Sequence, residues 1–306
     1  MIRRPPALKP GSRVALVAAA GPIPEGGVDR AMDRVRALGW EPVAGQFCRG
    51  RKGYLSGTDE ERAADFNAAL RDPSIDAIWF LRGGYGTMRI LDDVDWDALA
   101  ARPKALIGYS DNTAVHLAAR RAGVVAFHGP HPHQPAFPDF ARDGLLRVLT
   151  APEPAGELPF PAGGPRRADR LAGGRAEGPL VGGNLSLLSS TLGTPYAIDA
   201  AGAILFIEEV GEQPYRLDRM LSHLKLAGVL DAAAGIAIGG ITEAPGEDGD
   251  AVSREVLMDR LGGLGIPVAV GFPFGHVDDN WTLPVGVRAR LDADAGTLVL
   301  LEPAVS

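Results

Sequence analysis

The sequence predicts an α/β protein in two lobes: an N-terminal lobe on a mainly parallel sheet and a C-terminal lobe of mixed α/β character. Three observations carry this. Short apolar runs alternate with helical patterns through the first half. A stretch rich in Pro, Gly and Ala then breaks the periodicity, and beyond it the alternation resumes and closes in a hairpin pattern.

Taken in order, RVALVAAAG reads as a buried strand, and GGVDRAMDRVRALGW as a helix with apolar spacing at Val28, Met32, Val35 and Leu38. TDEERAADFNAALRD opens with a capping-box pattern, Thr58 to Glu61, and continues as a helix. IDAIWFLRGG and KALIGYS are strands, DNTAVHLAARRAG is a helix, and VVAFHGP is a further strand. Strands alternating with helices imply a parallel sheet covered on both faces. The aperiodic stretch marks the boundary, so residues 1–150 form the first lobe, 151–178 a linker with room for short edge strands, and 179–306 the second lobe. There, PLVGGNLSLLSSTLGTPY reads as a turn and a helix, AILFIEEV as a strand, PYRLDRMLSHLKLAGVL as a helix and AAGIAIGGI as a strand. SREVLMDRLGGLG is a helix, IPVAVGFPFGH a strand, and WTLPVGVRARLDADAGTLVLLEP a hairpin turning near residues 294–296.

Composition narrows the function. The 306 residues are 46% hydrophobic and 23% charged, with a formal net charge of −7 and six histidines. There is no basic patch, so nucleic acid is not an expected partner. The single cysteine, Cys48, excludes an intramolecular disulfide framework and a cysteine-rich metal site. The N-terminal Arg-Arg followed by VALVAAA is interrupted by prolines and Lys9, and reads as a strand rather than an export signal. With no uninterrupted run near the ~18 apolar residues of a membrane helix, a cytoplasmic protein without membrane contact is expected.

The chemistry starts at LIGYSDNTAVHLAA, where Ser110 sits between a strand and a helix. A serine there is either a helix cap or a nucleophile on a tight turn. A nucleophilic serine needs a histidine base oriented by a carboxylate. Of the histidines, His116 and His223 fall on helices. His128, His131 and His133 cluster in FHGPHPHQP, whose prolines suggest an extended loop rather than a metal site. His276 lies at the carboxyl edge of a predicted strand, where α/β proteins bind ligands. Glu208 and Glu209 end a strand on opposite faces. RGGYG, 82–86, follows a strand with a glycine loop that matches neither the P-loop nor the dinucleotide fingerprint. It suits an oxyanion hole using N–H groups near Gly83 or Gly84 and of Asp111. The elbow departs from G-x-S-x-G in carrying Asn112 where the second glycine would be.

Together RGGYG (82–86), GYSDNTA (108–114), HGP (128–130), GGNLSLLSSTLGTP (182–195), FIEEVGEQPYRLDRML (206–221) and GHVDDNWTLPVG (275–286) resemble the LD-carboxypeptidase family of serine peptidases. The resemblance implies Ser110 as nucleophile, Glu208 as orienting carboxylate and His276 as general base. It also implies a Rossmann-like N-terminal lobe, no metal or other cofactor, a homodimer, and a site drawing on both lobes. Two branches of the family are relevant. One removes the terminal D-alanine from murein tetrapeptides in cell-wall recycling; the other cleaves acyl-sulfamoyl or aminoacyl-adenylate conjugates and carries a longer loop with a stacking aromatic. The loop EAPGEDGD, 243–250, has no aromatic, which favours the first branch and a small peptide substrate with a D-amino-acid terminus. Arg82 and Arg216 are candidate partners for the substrate carboxylate, and Tyr85 and Trp281 candidate walls. The rival of another class is a non-catalytic two-lobed binder of an anionic ligand, with Ser110 as cap and contact only.

Overall fold

The computed structural model describes residues 2–306. In chain order the first elements are β1 (Arg13–Val17), α1 (Gly27–Ala37), β2 (Glu41–Ala44), α2 (Asp59–Arg71), β3 (Ala77–Phe80), α3 (Trp96–Ala101), β4 (Ala105–Gly108), α4 (Thr113–Arg121), β5 (Ala126–His128) and α5 (Asp139–Leu149). Next come β6 (Gly156–Glu157), β7 (Asp169–Ala172), β8 (Arg175–Asn184), α6 (Leu185–Ser190), β9 (Ile204–Val210), α7 (Pro214–Leu226), α8 (Val229–Ala232), β10 (Gly235–Thr242) and α9 (Gly249–Leu261). The chain closes with β11 (Val268–Val270), β12 (Leu283–Val285), β13 (Arg288–Asp292) and β14 (Thr297–Leu300). These fall into two compact units.

The first unit holds the chain up to Glu153 together with Thr282–Val285 and Ala304–Ser306. Its sheet has the order β12-β5-β4-β3-β1-β2. All pairings are parallel except β12 against β5. The order reverses beside β1, the crossover at which α/β sheets leave a crevice at their carboxyl ends. Strands β3 (AIWF) and β4 (ALIG) are buried at every residue, as central parallel strands require. Phe66 of α2 meets Phe80 edge-on, ring centroids 5.1 Å apart, within an apolar cluster that includes Ile78, Leu106 and Val115. The expected capping box is present: Thr58 accepts from the Glu61 N–H while Glu61 accepts from the Thr58 N–H.

The second unit holds Pro154–Trp281 and Gly286–Pro303. Its sheet runs β6-β14-β13-β8-β9-β10-β11-β7. The centre, β8 to β11, is parallel and the flanks are antiparallel.

Several expectations are corrected. The stretch read as a linker with room for short edge strands supplies β6 and β7, the two edge strands of the second sheet, and the start of β8, and so belongs to the second unit from residue 154. PLVGGN is strand, not turn, because its glycines let β8 lie unusually close to β9: a Cβ on Gly182 would stand 1.9 Å from the Phe206 carbonyl oxygen. The expected strand through His276 stops at Val270, since Gly271 (φ 94°) and Gly275 (φ 98°) leave extended geometry and Pro273 has no N–H. The terminal hairpin is β13–β14 alone, with β12 paired to β5 of the first unit. The short edge strand β2 was not expected from EPVA, which is nowhere fully buried.

Candidate active site

In the first unit, β4 delivers Ser110 at the strand's carboxyl end. Its φ is 61°, one of two non-glycine residues with positive φ among those described, the other being Glu243. Left-handed backbone costs an L-residue about 1–2 kcal/mol, so it persists only where surroundings enforce it. The residue at the N-cap position is Tyr109 for the short 3₁₀ turn Ser110–Asn112 and Asn112 for α4, so Ser110 stands at neither cap position.

Three neighbours enforce the corner. Asn112 is helical at φ −69°, so it needs no glycine, and its Oδ1 lies 2.8 Å from His131 Nε2. Gly108 makes room for that amide: a Cβ there would stand 2.6 Å from Asn112 Oδ1. The His131 ring in turn lies against Tyr109, centroids 4.4 Å apart. Asp111, fully buried, accepts from Thr87 N (2.9 Å) and Thr87 Oγ1 (2.7 Å) through Oδ2. Burial pushes its carboxyl up, against the pull of the Thr87 and Gly86 donors and of Arg62.

The glycine loop after β3 abuts this corner. A Cβ on Gly83 would stand 2.9 Å from Ser110 Cβ, 3.1 Å from its Oγ and 3.3 Å from Asp111 N, so only glycine permits the approach. The Gly83 carbonyl accepts from Gly21 N at 3.0 Å, and Gly84 has φ 104°. Arg62, buried on α2, donates to the carbonyls of Ala19 and Gly86, tying the loops after β1 and β3 together. Ser110, Gly83 and Asp111 are thus brought together, with helical N–H groups behind them. His131, Thr87 and Arg62, which support them, were not singled out for this; buried charge in an apolar helix pattern was the available signal for Arg62 alone.

In the second unit, β9 ends in the two acids, and its alternation sends them apart. Glu209 accepts from Asn184 Nδ2 (3.0 Å), Ser186 N (2.8 Å) and Ser186 Oγ (2.7 Å), holding the start of α6. Burial raises its carboxyl above the usual range although these donors oppose it. Glu208 has no exposed surface, and its Oε2 lies 2.6 Å from His276 Nδ1. With a carboxylate oxygen accepting, Nδ1 is the donor of this bond. Gly275 allows the pair to close, since a Cβ there would stand 2.5 Å from Glu208 Cβ. Burial works against charging His276, yet the Glu208 bond and the charges of Glu208, Glu209 and Glu243 leave its pKa raised. The histidine side chain is 19% exposed, held by Glu208 yet not closed off.

The remaining candidates are placed as follows. Arg82 donates to the Pro22 carbonyl at 2.7 Å. Tyr85 is exposed on the glycine loop. Arg216 lies on α7, bonded to Tyr215 and Glu212. Trp281 is 1% exposed; its Nε1 donates to Pro159 O at 2.6 Å and its ring packs on Phe160, Phe272 and Phe274, so its faces are spent on the core. Among the described residues no group of three or more His, Cys, Asp or Glu is arranged to hold a metal, the FHGPHPHQP histidines included. No helix among them is long and apolar enough to cross a membrane.

Comparison with known proteins identifies the family. The LD-carboxypeptidase N-terminal domain family matches residues 14–129, and the C-terminal domain family matches residues 177–291. A putative carboxypeptidase of Streptomyces coelicolor is 44% identical, covering 99% of this chain and 97% of its own. A probable murein peptide carboxypeptidase of Bacillus subtilis is 36% identical, covering 97% of this chain and 94% of its own. Among solved structures, MccF in complex with glutamyl sulfamoyl guanosine superposes with a TM-score of 0.90 at 26% identity, covering 99% of each chain.

Proposed function

Because this chain belongs to the LD-carboxypeptidase family and is a serine-type peptidase, we propose that it hydrolyses the bond to the terminal D-alanine of murein tetrapeptides, with Ser110, Glu208 and His276 as its triad. The observation that carries the reading is Ser110, held at φ 61° against Gly83 at a strand–helix corner. The name of the Bacillus subtilis relative supports the substrate class.

In this mechanism Ser110 Oγ attacks the diaminopimelate carbonyl carbon while His276 Nε2 takes the hydroxyl proton. Glu208 keeps the imidazolium oriented and compensates its charge. The N–H groups near Gly83 or Gly84 and of Asp111 receive the oxyanion, a donor set in which each member is worth about 100- to 1,000-fold in rate. His276 returns the proton to the departing D-alanine amine, and water, activated by the same histidine, releases the acyl group and restores Ser110. The proposal includes a cytoplasmic homodimer acting in cell-wall recycling. A serine-type peptidase replaces the rival reading of a non-catalytic binder.

The test incubates L-Ala-γ-D-Glu-meso-diaminopimelate-D-Ala and its all-L counterpart with wild type, Ser110→Ala and His276→Ala. The expected result is D-alanine release by wild type only, with both variants down at least ~1,000-fold. D-alanine release by Ser110→Ala at the wild-type rate overturns it. The likeness to MccF favours a second reading, hydrolysis of acyl-sulfamoyl nucleosides, and the same assay with such a conjugate separates the two.

A further inference from the structure

Asp111 follows the nucleophile directly, and it is fully buried together with its partner Thr87, the residue after the glycine loop. Taken as a carboxylate, its Oδ2 accepts from the Thr87 N–H at 2.9 Å and from Thr87 Oγ1 at 2.7 Å. The same Oγ1, however, lies 2.6 Å from the main-chain carbonyl oxygen of Asp111. Both Oγ1 contacts have the length of an O–H···O bond, yet a threonine hydroxyl has one proton to give. Beside an ionised carboxylate, one of the two contacts sets lone pair against lone pair. A proton on Oδ2 satisfies both. Oδ2 then donates to Oγ1, Oγ1 donates to the carbonyl, and Oδ2 still accepts from the Thr87 N–H.

The other carboxyl oxygen points the same way. Oδ1 is buried, and no N–H or O–H among the described residues reaches it in hydrogen-bonding geometry. A buried anionic oxygen without donors is far costlier than a neutral carbonyl oxygen in the same place. Nor is there a cation given over to this group. Arg62 of α2 acts on it, but that guanidinium is engaged by Asp59 and by the carbonyls of Ala19 and Gly86, and Asp59 also pairs with Arg89. His131, the imidazole of this corner, is engaged by the Asn112 amide. Burial accordingly raises the Asp111 carboxyl, although the Thr87 and Gly86 N–H groups and Arg62 oppose it.

We propose that Asp111 keeps its carboxyl proton at neutral pH, donating it from Oδ2 to Thr87 Oγ1, and that this neutral acid positions the Asp111 N–H for the oxyanion. The inference rests on the serine-peptidase site proposed above and adds a positioning residue to it. An ionised carboxyl on the residue whose own N–H receives the oxyanion sets like charge beside the charge that the reaction develops. Held neutral, the side chain avoids that opposition and ties the Asp111 peptide to Thr87 through both its carboxyl and its carbonyl. As pH rises through the raised pKa, Oδ2 loses its proton to solvent, the Thr87 hydroxyl is claimed by the carboxylate, and turnover falls.

The experiment follows two quantities across pH in wild type and Asp111→Asn: kcat/KM for the murein tetrapeptide, and the rate at which a serine-directed reagent acylates Ser110. Wild type should lose on the order of 10- to 100-fold on its alkaline side, the effect of like charges at close range in a protein. Asp111→Asn, which cannot ionise, should start lower at neutral pH and lack that alkaline limb. In ¹³C-labelled wild type, the Asp111 Cγ resonance, assigned through its own backbone, should report a protonated acid at neutral pH and titrate with the same midpoint as the limb. Asp65, whose carboxyl burial also raises, is separated by its own assignment. An ionised Asp111 at neutral pH overturns the proposal, and that reading needs no variant to fold. An alkaline limb unchanged in Asp111→Asn, or no fall in wild type while Asp111 ionises, overturns the positioning role. No cleavage of the tetrapeptide by wild type, with the limb still present in Ser110 acylation, counts against the murein reading and leaves Asp111 standing.

Discussion

Ser110 stores strain where the reaction is proposed to begin. A glycine at that position relaxes the left-handed backbone, whereas alanine keeps the Cβ that causes the strain. Ser110→Gly is therefore expected to unfold in urea at about 1 kcal/mol higher stability than Ser110→Ala, both being inactive. Equal stabilities would show that the φ of 61° costs nothing. At His276 the sign is also fixed: the base works neutral and its pKa is raised, so kcat/KM should climb with pH along a limb centred above the ordinary histidine value. Glu208→Gln removes the first of the raising influences, the hydrogen bond to a charged acceptor, so the limb should move to lower pH as the rate falls. Ser110 and Glu208 were legible as residue types near strand ends, whereas His276 lies six residues beyond the end of β11. The strain at Ser110 was not legible, because backbone angles are set by Gly83, Asn112 and Asp111 packing around it, and none of these neighbours marks φ in the sequence.

Among the elements, the glycine loop is the one whose tight packing bears on Ser110. Gly83→Ala inserts a methyl 2.9 Å from Ser110 Cβ while leaving the helices and strands untouched. A fall of about 100-fold or more in kcat with an unchanged circular dichroism spectrum is expected. Retained activity would mean that the loop yields and is not the oxyanion donor. Long periodic helices such as α2 and the buried strands β3, β4 and β9 were readable because burial dictates their residue types. The failures share a cause. β8 is built on glycines chosen for close approach to β9, and β11 ends early through Gly271 and Pro273, so backbone contacts override the apolar pattern there. Asn112, the departure from the usual elbow, is accounted for by its amide beside His131, a contact between residues 19 positions apart that no local pattern marks.

For the molecule as a whole, pH sensitivity follows from a histidine that takes no part in the proposed chemistry. His116 on α4 is fully buried, neither ring nitrogen has a hydrogen-bond partner, and burial lowers its pKa to about 3. The unfolded chain takes up a proton below about 6.5 and the folded one does not. Stability from this group is thus complete above pH 6.5 and declines by about 1.4 kcal/mol per pH unit as pH falls toward 3. His116→Leu should flatten that decline, giving about 2 kcal/mol more stability relative to wild type at pH 5 than at pH 7 in urea titrations. An identical slope in both proteins would place the acid sensitivity elsewhere.

The pairing of β12 with β5 also bears on how the chain is made. Strand β5 is complete by residue 128, yet its partner arrives only with residues 283–285. On a ribosome adding about 5–20 residues per second, that edge stands open for roughly 8–30 s. Unsatisfied strand edges recruit other chains, so newly synthesised protein passes through a window in which it depends on chaperone cover or dilution. For the same reason a fragment cut after Glu153 would carry the defect permanently and should accumulate as aggregate rather than as a working half.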